Sequence, residues 1–297
     1  MSAGRIWSGN TRGAFWMIAS ACIFSINAAV VKELGATGID SLQTVFVRSL
    51  MGLLVPLPFL LLCGMPVRTQ QLPIQLLQGM VGTAALMAHF YAWTKLPLAT
   101  VTALIFTQAL FTLLLAVLLV RAWVRWQRWV ATALGFLGVL IMVRPGFSHV
   151  EPAALFALFA GFAIALQVVL VARLPQGEKE LTMLFYLGVV GTLITIGPGL
   201  MVWRSPTQLQ VMLLISNGVL GVAAQACIFR AFRVGDAAYV APFDYSKLIV
   251  AGLLGFFVFG EIPNIWTLTG AALVVLSTLC ISRREQHLSH RRPVTRS

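Results

Sequence analysis

The stretch PAALFALFAGFAIALQVVLVA, residues 152–172, decides the fold class. It carries no charge, and about 20 apolar residues in a helix cross the roughly 30 Å hydrocarbon core of a bilayer. Ala157, Gly161 and Ala165 recur along it every four residues, a small-residue face that lets helices approach closely. Nine more apolar stretches flank it. Together the segments fall at 13–31, 41–63, 73–94, 98–119, 127–143, 152–172, 181–203, 208–229, 237–259 and 265–282. Helix is the element they require, because a helix satisfies its backbone hydrogen bonds internally where lipid offers none. Hydrophobic residues make up 59% of the chain and charged residues 10%, against about 45–50% and 25% in ordinary soluble domains. No connection is long enough to hold a water-soluble domain.

Charge then orients the bundle. With strict alternation, the N-terminus, the connections after even-numbered segments and the C-terminus share one side. That side holds fifteen basic residues, among them Arg5, Arg12, Arg68, Arg121, Arg125, Arg128 and Arg283. The opposite side holds four: Lys32, Lys95, Arg144 and Arg204. The positive-inside rule places both termini in the cytoplasm. The net charge of +12 therefore reflects lipid contact and orientation, and no nucleic-acid partner is expected. Residues 1–31 place Arg5 and Arg12 before an apolar run that is too long for the roughly 7–15-residue apolar region of a signal peptide, and read as a retained first helix. Cys22, Cys63, Cys227 and Cys280 lack metal-ligand spacing and read as packing residues.

Laid over each other at an offset of roughly 138–140 residues, the two halves match weakly. Lys95–Ala99 falls on Arg233–Ala237, and Asn27 falls on Gln167. Five segments per half is an odd number, so halves of like fold must enter the membrane from opposite sides. Inverted repeats of this kind recur in secondary transporters, where two halves rock about a central site. The expected architecture is all-α: ten transmembrane helices as two inverted five-helix repeats around a central cavity. The boundaries are a cytoplasmic N-terminus at 1–12, a first repeat at 13–146, a second at 147–282 and a basic tail at 283–297.

Polar residues inside the segments nominate the site, since charge in hydrocarbon costs several kcal/mol unless paired or hydrated. Asp244 and Lys247 lie at i, i+3 on the ninth segment and can pair on one face. Pro242, just before them, removes a backbone donor and is expected to kink the helix. Arg48 lies in the second segment, where a ligand carboxylate or a carboxylate such as Glu33 or Asp40 could meet it. Lys32 and Glu33 read as an outer-edge pair. Gln108, His89, Tyr186, Gln225 and Tyr245 add hydrogen-bonding groups, and Phe106 and Phe243 add apolar faces. His89 titrates near neutral pH in water and, with Asp244 and Glu261, is a candidate proton carrier. Trp16, Trp93, Trp123, Trp126, Trp129, Trp203 and Trp266 stand near segment ends, where an interfacial belt accounts for them. The chain carries no HExxH, P-loop or GxSxG motif, so no catalytic residue, metal or cofactor is nominated.

Arg233-Val234-Gly235-Asp236-Ala237-Ala238, running into Ala241-Pro242-Phe243-Asp244-Tyr245, and then Gly260-Glu261-Ile262-Pro263 and Gly270-Ala271-Ala272-Leu273, resemble the ten-helix EamA-type branch of the drug/metabolite transporter superfamily. Leu96-Pro97-Leu98-Ala99 and Arg144-Pro145-Gly146 are similar to its first-repeat landmarks, whereas the position matching Gly260-Glu261 reads Arg121-Ala122. The resemblance implies a central cavity lined by the third, fourth, eighth and ninth helices, and alternating access without nucleotide hydrolysis. Exporters of amino acids, aromatic ones included, belong to this branch, as do carriers of riboflavin and S-adenosylmethionine.

Three functions follow for test. The first is export of amino acids or related small metabolites, with the substrate held by Asp244, Lys247, Arg48, Gln108, Tyr245, Phe106, Phe243 and His89. The second is import of a larger metabolite such as S-adenosylmethionine, riboflavin or a nucleoside-like compound. The third, from another class, is a membrane-embedded lipid-handling protein or enzyme. The expected partners are a small-molecule substrate, membrane lipid and, for a coupled carrier, protons.

Overall fold

The computed structural model describes residues 3–58, 69, 71–120, 126–143, 151–171, 180–235 and 240–276, and every ordered element among them is helical. The helices are α1 (Ala3–Ala36), α2 (Ser41–Leu54), α3 (Leu72–Lys95), α4 (Leu98–Ile105) and α5 (Gln108–Val120). They continue with α6 (Trp126–Val143), α7 (Pro152–Val171), α8 (Glu180–Met201) and α9 (Gln208–Val234). A 3₁₀ turn at Ala241–Tyr245 leads into α10 (Ser246–Phe259), and α11 spans Ile265–Leu276. Each apolar segment of the sequence thus carries helix. Five spans among the described residues are long and apolar enough to cross a membrane: Gly9–Ala36, Ser41–Pro58, Pro152–Val171, Leu181–Met201 and Gln208–Ile228.

Local chemistry fixes the ends. Asp40 caps α2 by accepting from the Leu42 N–H at 2.8 Å. Thr207 and Gln210 form a reciprocal capping box at the start of α9. At the end of α10, Gly260 takes φ +65°, a left-handed conformation that favours glycine. Beside the α9 start, the Gln43 side chain grips the backbone of Arg204: its Nε2 donates to the Arg204 carbonyl at 2.9 Å, and its Oε1 accepts the Arg204 N–H at 3.1 Å.

Two segments depart from the single helices expected. The fourth breaks at Phe106–Thr107 into α4 and α5. In the ninth, Asp244 and Tyr245 occupy the 3₁₀ turn and the α-helix starts only at Ser246, so Pro242 stands in a tightened turn rather than at a kink within one helix.

The main packing between the halves maps onto itself when they are exchanged. The α1 helix lies along α9, and α7 along α3; α2 lies against α8, and α10 against α4. The last helices of the halves meet at glycines, where a Cβ on Gly138 of α6 would stand 2.7 Å from the Gly270 carbonyl of α11. The α1 and α9 helices run antiparallel. A Cβ on Gly13 would stand 3.0 Å from the Ala231 carbonyl, and seven residues on, Ser20 donates to the Ala224 carbonyl at 2.9 Å. The α1 and α3 helices run in the same direction, with Phe24 beside His89 and Lys32 beside Leu96. Outward faces carry exposed Leu155, Phe159, Leu193, Leu253 and Phe257. A continuous apolar exterior of this extent belongs against lipid.

Candidate functional site

The site is built where α10 begins. The Lys247 ammonium pairs with Asp244 Oδ1 at 2.5 Å, and Lys247 is 9% exposed. The 3₁₀ turn makes this pairing local: it sets Asp244 one turn before Lys247 and on the same side. Ser25 of α1 stands 3.3 Å from the Lys247 carbonyl and so ties α1 to the turn. Above the pair, the Lys247 ammonium faces the Phe24 ring at 4.7 Å from its centroid. A desolvated cation–π contact of this kind contributes about 2 kcal/mol. Phe24 also meets His89 at 5.8 Å and Trp93 at 5.4 Å, while His89 and Trp93 lie 3.9 Å apart. Tyr245 packs on Phe106 at 4.8 Å, bringing α4 to the same place.

Two polar atoms in this cluster, His89 Nε2 and Trp93 Nε1, are buried without a hydrogen-bond partner among the described residues. Each such atom costs about 1–3 kcal/mol.

The structure therefore brings together Asp244, Lys247, His89, Tyr245 and Phe106 from the sequence-nominated set. It adds Phe24 and Trp93, which sequence reasoning missed. Trp93 is 1% exposed, so its place is the interior and not the interfacial belt. Being near a segment end says nothing about which way a ring faces. Phe243 turns elsewhere and packs with Met17, Ala231 and Val240. Gln108 opens α5, its carbonyl accepting the Thr112 hydroxyl at 2.7 Å.

Arg48 occupies a separate junction, between α2 and α9. Its Nε lies where a Cβ on Gly221 would stand only 2.1 Å away, and its Nη1 lies 3.3 Å from the equivalent point on Gly52. The glycines leave a slot for the guanidinium. Neither Glu33 nor Asp40 meets Arg48; Asp40 is taken by the α2 cap, and Glu33 points outward.

Lys32 likewise differs from expectation. Its partner is Glu261 and not Glu33. Lys32 also donates to the Leu96 carbonyl at 2.8 Å, and Glu261 Oε2 accepts the Leu98 N–H at the start of α4, at 2.9 Å. One ionic knot thus fastens α1, α4 and the end of α10. Lys32 lies eight residues along α1 from Phe24, about 12 Å at 1.5 Å per residue. Beside this knot a cleft of about 550 Å³ opens at the surface, lined by Gly38, Asp40, Tyr91, Lys95, Trp203 and Arg204 among others. Among the described residues, no group of three His, Cys, Asp or Glu gathers as metal ligands would.

The profile of the EamA-like transporter family matches the chain twice, over residues 11–144 and 151–283. The chain belongs to the EamA-like transporter family. Its matches run end to end. An S-adenosylmethionine uptake transporter of Rickettsia prowazekii is 30% identical over 275 residues, covering 92% of this chain and 93% of that protein. A riboflavin transporter of Vibrio cholerae is 32% identical over 287 residues, covering 94% and 96%. The pseudopaline exporter CntI of Pseudomonas aeruginosa is 27% identical over 280 residues, covering 92% and 97%. A crystal structure at 17% identity superposes with a TM-score of 0.61 over 95% of this chain and 98% of its own, and shows the same fold. This EamA-like protein is thus a multi-pass membrane transporter of the drug/metabolite superfamily.

Proposed function

We propose that the protein is a ten-helix carrier of two oppositely inserted five-helix units, moving an amino-acid-bearing metabolite of the S-adenosylmethionine kind inward by alternating access. The observation that carries the reading is the composition of the α10 site. A paired acid and base, Asp244 and Lys247, stand beside the rings of Phe24, His89 and Trp93, with Arg48 held in a glycine slot between α2 and α9. A zwitterion joined to a flat heterocycle uses all of these. Asp244 receives the ammonium, Arg48 and Lys247 attract the carboxylate, the aromatic faces stack the ring, and Tyr245 supplies a hydrogen bond.

The antiparallel course of α1 and α9 supports the opposed insertion of the halves, and the charge count supports cytoplasmic termini in an inner membrane. Relatives named as S-adenosylmethionine uptake transporters favour this substrate and direction. The test is flux of labelled S-adenosylmethionine in right-side-out vesicles, competed by methionine, adenosine and riboflavin. Saturable uptake that Arg48→Gln reduces at least tenfold is expected, and absence of saturable S-adenosylmethionine flux in both directions removes the substrate.

A second reading, efflux of an amino acid or related metabolite, is favoured by the match to a named exporter. Saturable efflux of labelled amino acid from preloaded vesicles would select it. Flux per amount of folded protein, with and without a pH gradient, in Asp244→Asn and His89→Ala decides proton coupling: gradient-driven flux retained in both variants excludes these two carriers.

A further inference from the structure

The buried amides at two equivalent helix pairings between the halves differ in a way the substrate site does not explain. Along α1 and α9, Gly13 stands against Ala231 and Ser20 against Ala224, a step of seven residues up one helix matched by seven down the other. The next step places Asn27 opposite Asn217. Asn27 is 2% exposed and Asn217 is fully buried. Asn27 Oδ1 and both amide atoms of Asn217 nevertheless lack a hydrogen-bond partner among the described residues.

The corresponding interface joins α7 to α3. Moving by the repeat offset carries Asn27 to Gln167 and brings Asn217 to Gln78. There the amides are closed: Gln167 Nε2 donates to Gln78 Oε1 at 3.2 Å. Gln78 in turn donates to Gln75 Oε1 at 3.2 Å. The same amide contact therefore occurs twice, once made and once unmade.

In a carrier whose halves exchange conformations, each interface takes up in one end state the geometry its counterpart holds in the other. Buried polar groups are paired in all but a few cases, so the open amides mark a contact that another state completes. We propose that Asn27–Asn217 and Gln78–Gln167 are alternately closed amide contacts, one at each of these two interfaces, that hold the two end states of the transport cycle. Asparagine is one methylene shorter than glutamine, so closing Asn27–Asn217 draws α1 and α9 nearer together, and the same movement parts Gln78 from Gln167. The proposal rests on the alternating-access reading but not on any substrate assignment.

Disulfide trapping tests it in the full-length chain in membranes, without substrate, after replacing the four native cysteines by alanine. With Asn27→Cys and Asn217→Cys as reporters, Gln167→Met is expected to raise the rate of cross-linking at least threefold, because it weakens the opposing contact. With Gln78→Cys and Gln167→Cys as reporters, Asn27→Leu is expected to do the same in reverse. Should one helper variant fail to accumulate, the other reads the same coupling from the opposite interface. Cross-linking rates at each interface that ignore substitution at the other would overturn the proposal, leaving both amide pairs as fixed packing contacts. Loss of S-adenosylmethionine flux with the reciprocal cross-linking intact would instead count against the substrate reading alone.

Discussion

Lys247 is held from two directions, by the Asp244 carboxylate and by the face of Phe24. Removing one partner of a buried ion pair leaves an uncompensated charge at a cost of about 3–5 kcal/mol, whereas removing both is often near neutral. Asp244→Asn is accordingly expected to lower the amount of folded protein sharply, and Asp244→Asn with Lys247→Met to restore it without restoring transport. Fluorescence-detected gel filtration alongside vesicle flux separates the two effects. At Arg48, Gly221→Ala puts a methyl group against Nε. Overpacking of this kind costs about 1–3 kcal/mol, and the displaced guanidinium is expected to weaken transport about tenfold while Gly252→Ala, which meets nothing within 4 Å, leaves it unchanged. Asp244 and Lys247 were legible in the sequence because a pairing three residues apart is a local fact. Phe24 was not, since nothing in an apolar run marks the one ring that faces a cation. Trp93 was misread for a related cause: position along a helix gives depth, not facing.

At the scale of elements, the segment pattern placed helix correctly along the described residues, because length and hydropathy are summed over some twenty residues and tolerate local error. The interruptions at Phe106–Thr107 and Ala241–Tyr245 were harder to see, as each turns on backbone hydrogen bonding within a few residues. The knot of Lys32, Glu261, Leu96 and Leu98 lay beyond reach, since its parts come from three distant elements. It carries its own prediction. Glu261→Gln keeps an oxygen for the Leu98 N–H but loses the charge that holds Lys32, so α1 and α4 should part more readily while α4 stays capped. Labelling of a cysteine at Thr94, in the adjoining cleft, by a membrane-impermeant maleimide is expected to rise about threefold. Glu261→Ala, which also gives up the cap, should raise it further. Unchanged labelling in both variants would show that the knot does not govern access to the cleft. At sequence positions 122 and 172, about where the repeat offset places Glu261 and Lys32, the chain carries alanine, so these two positions do not repeat the Lys32–Glu261 pair.

The whole molecule is constrained by charge and by its repeat together. Fifteen basic residues on one side against four on the other predict that a cysteine at Ser205 reacts with an impermeant thiol reagent in intact cells, and that one at the C-terminal Ser297 reacts only after permeabilisation. The reverse pattern would invert the assignment of every loop. The repeat itself was visible from segment lengths, and the twofold family match and the self-mapping contacts bear it out. Which residues meet across the halves could not be read beforehand, because a low-identity repeat fixes register only to within a residue or two, and an error of one turns a helix face by about 100°.

The grip of Gln43 on residue 204 has a bearing on how this chain tolerates change. Both hydrogen bonds go to main-chain atoms, so the amide treats position 204 as it would a neighbouring strand, blind to the side chain attached. Recoding Arg204 to almost any residue but proline should leave the junction intact, and a tag or fluorophore can be hung there, whereas Gln43 admits no such freedom.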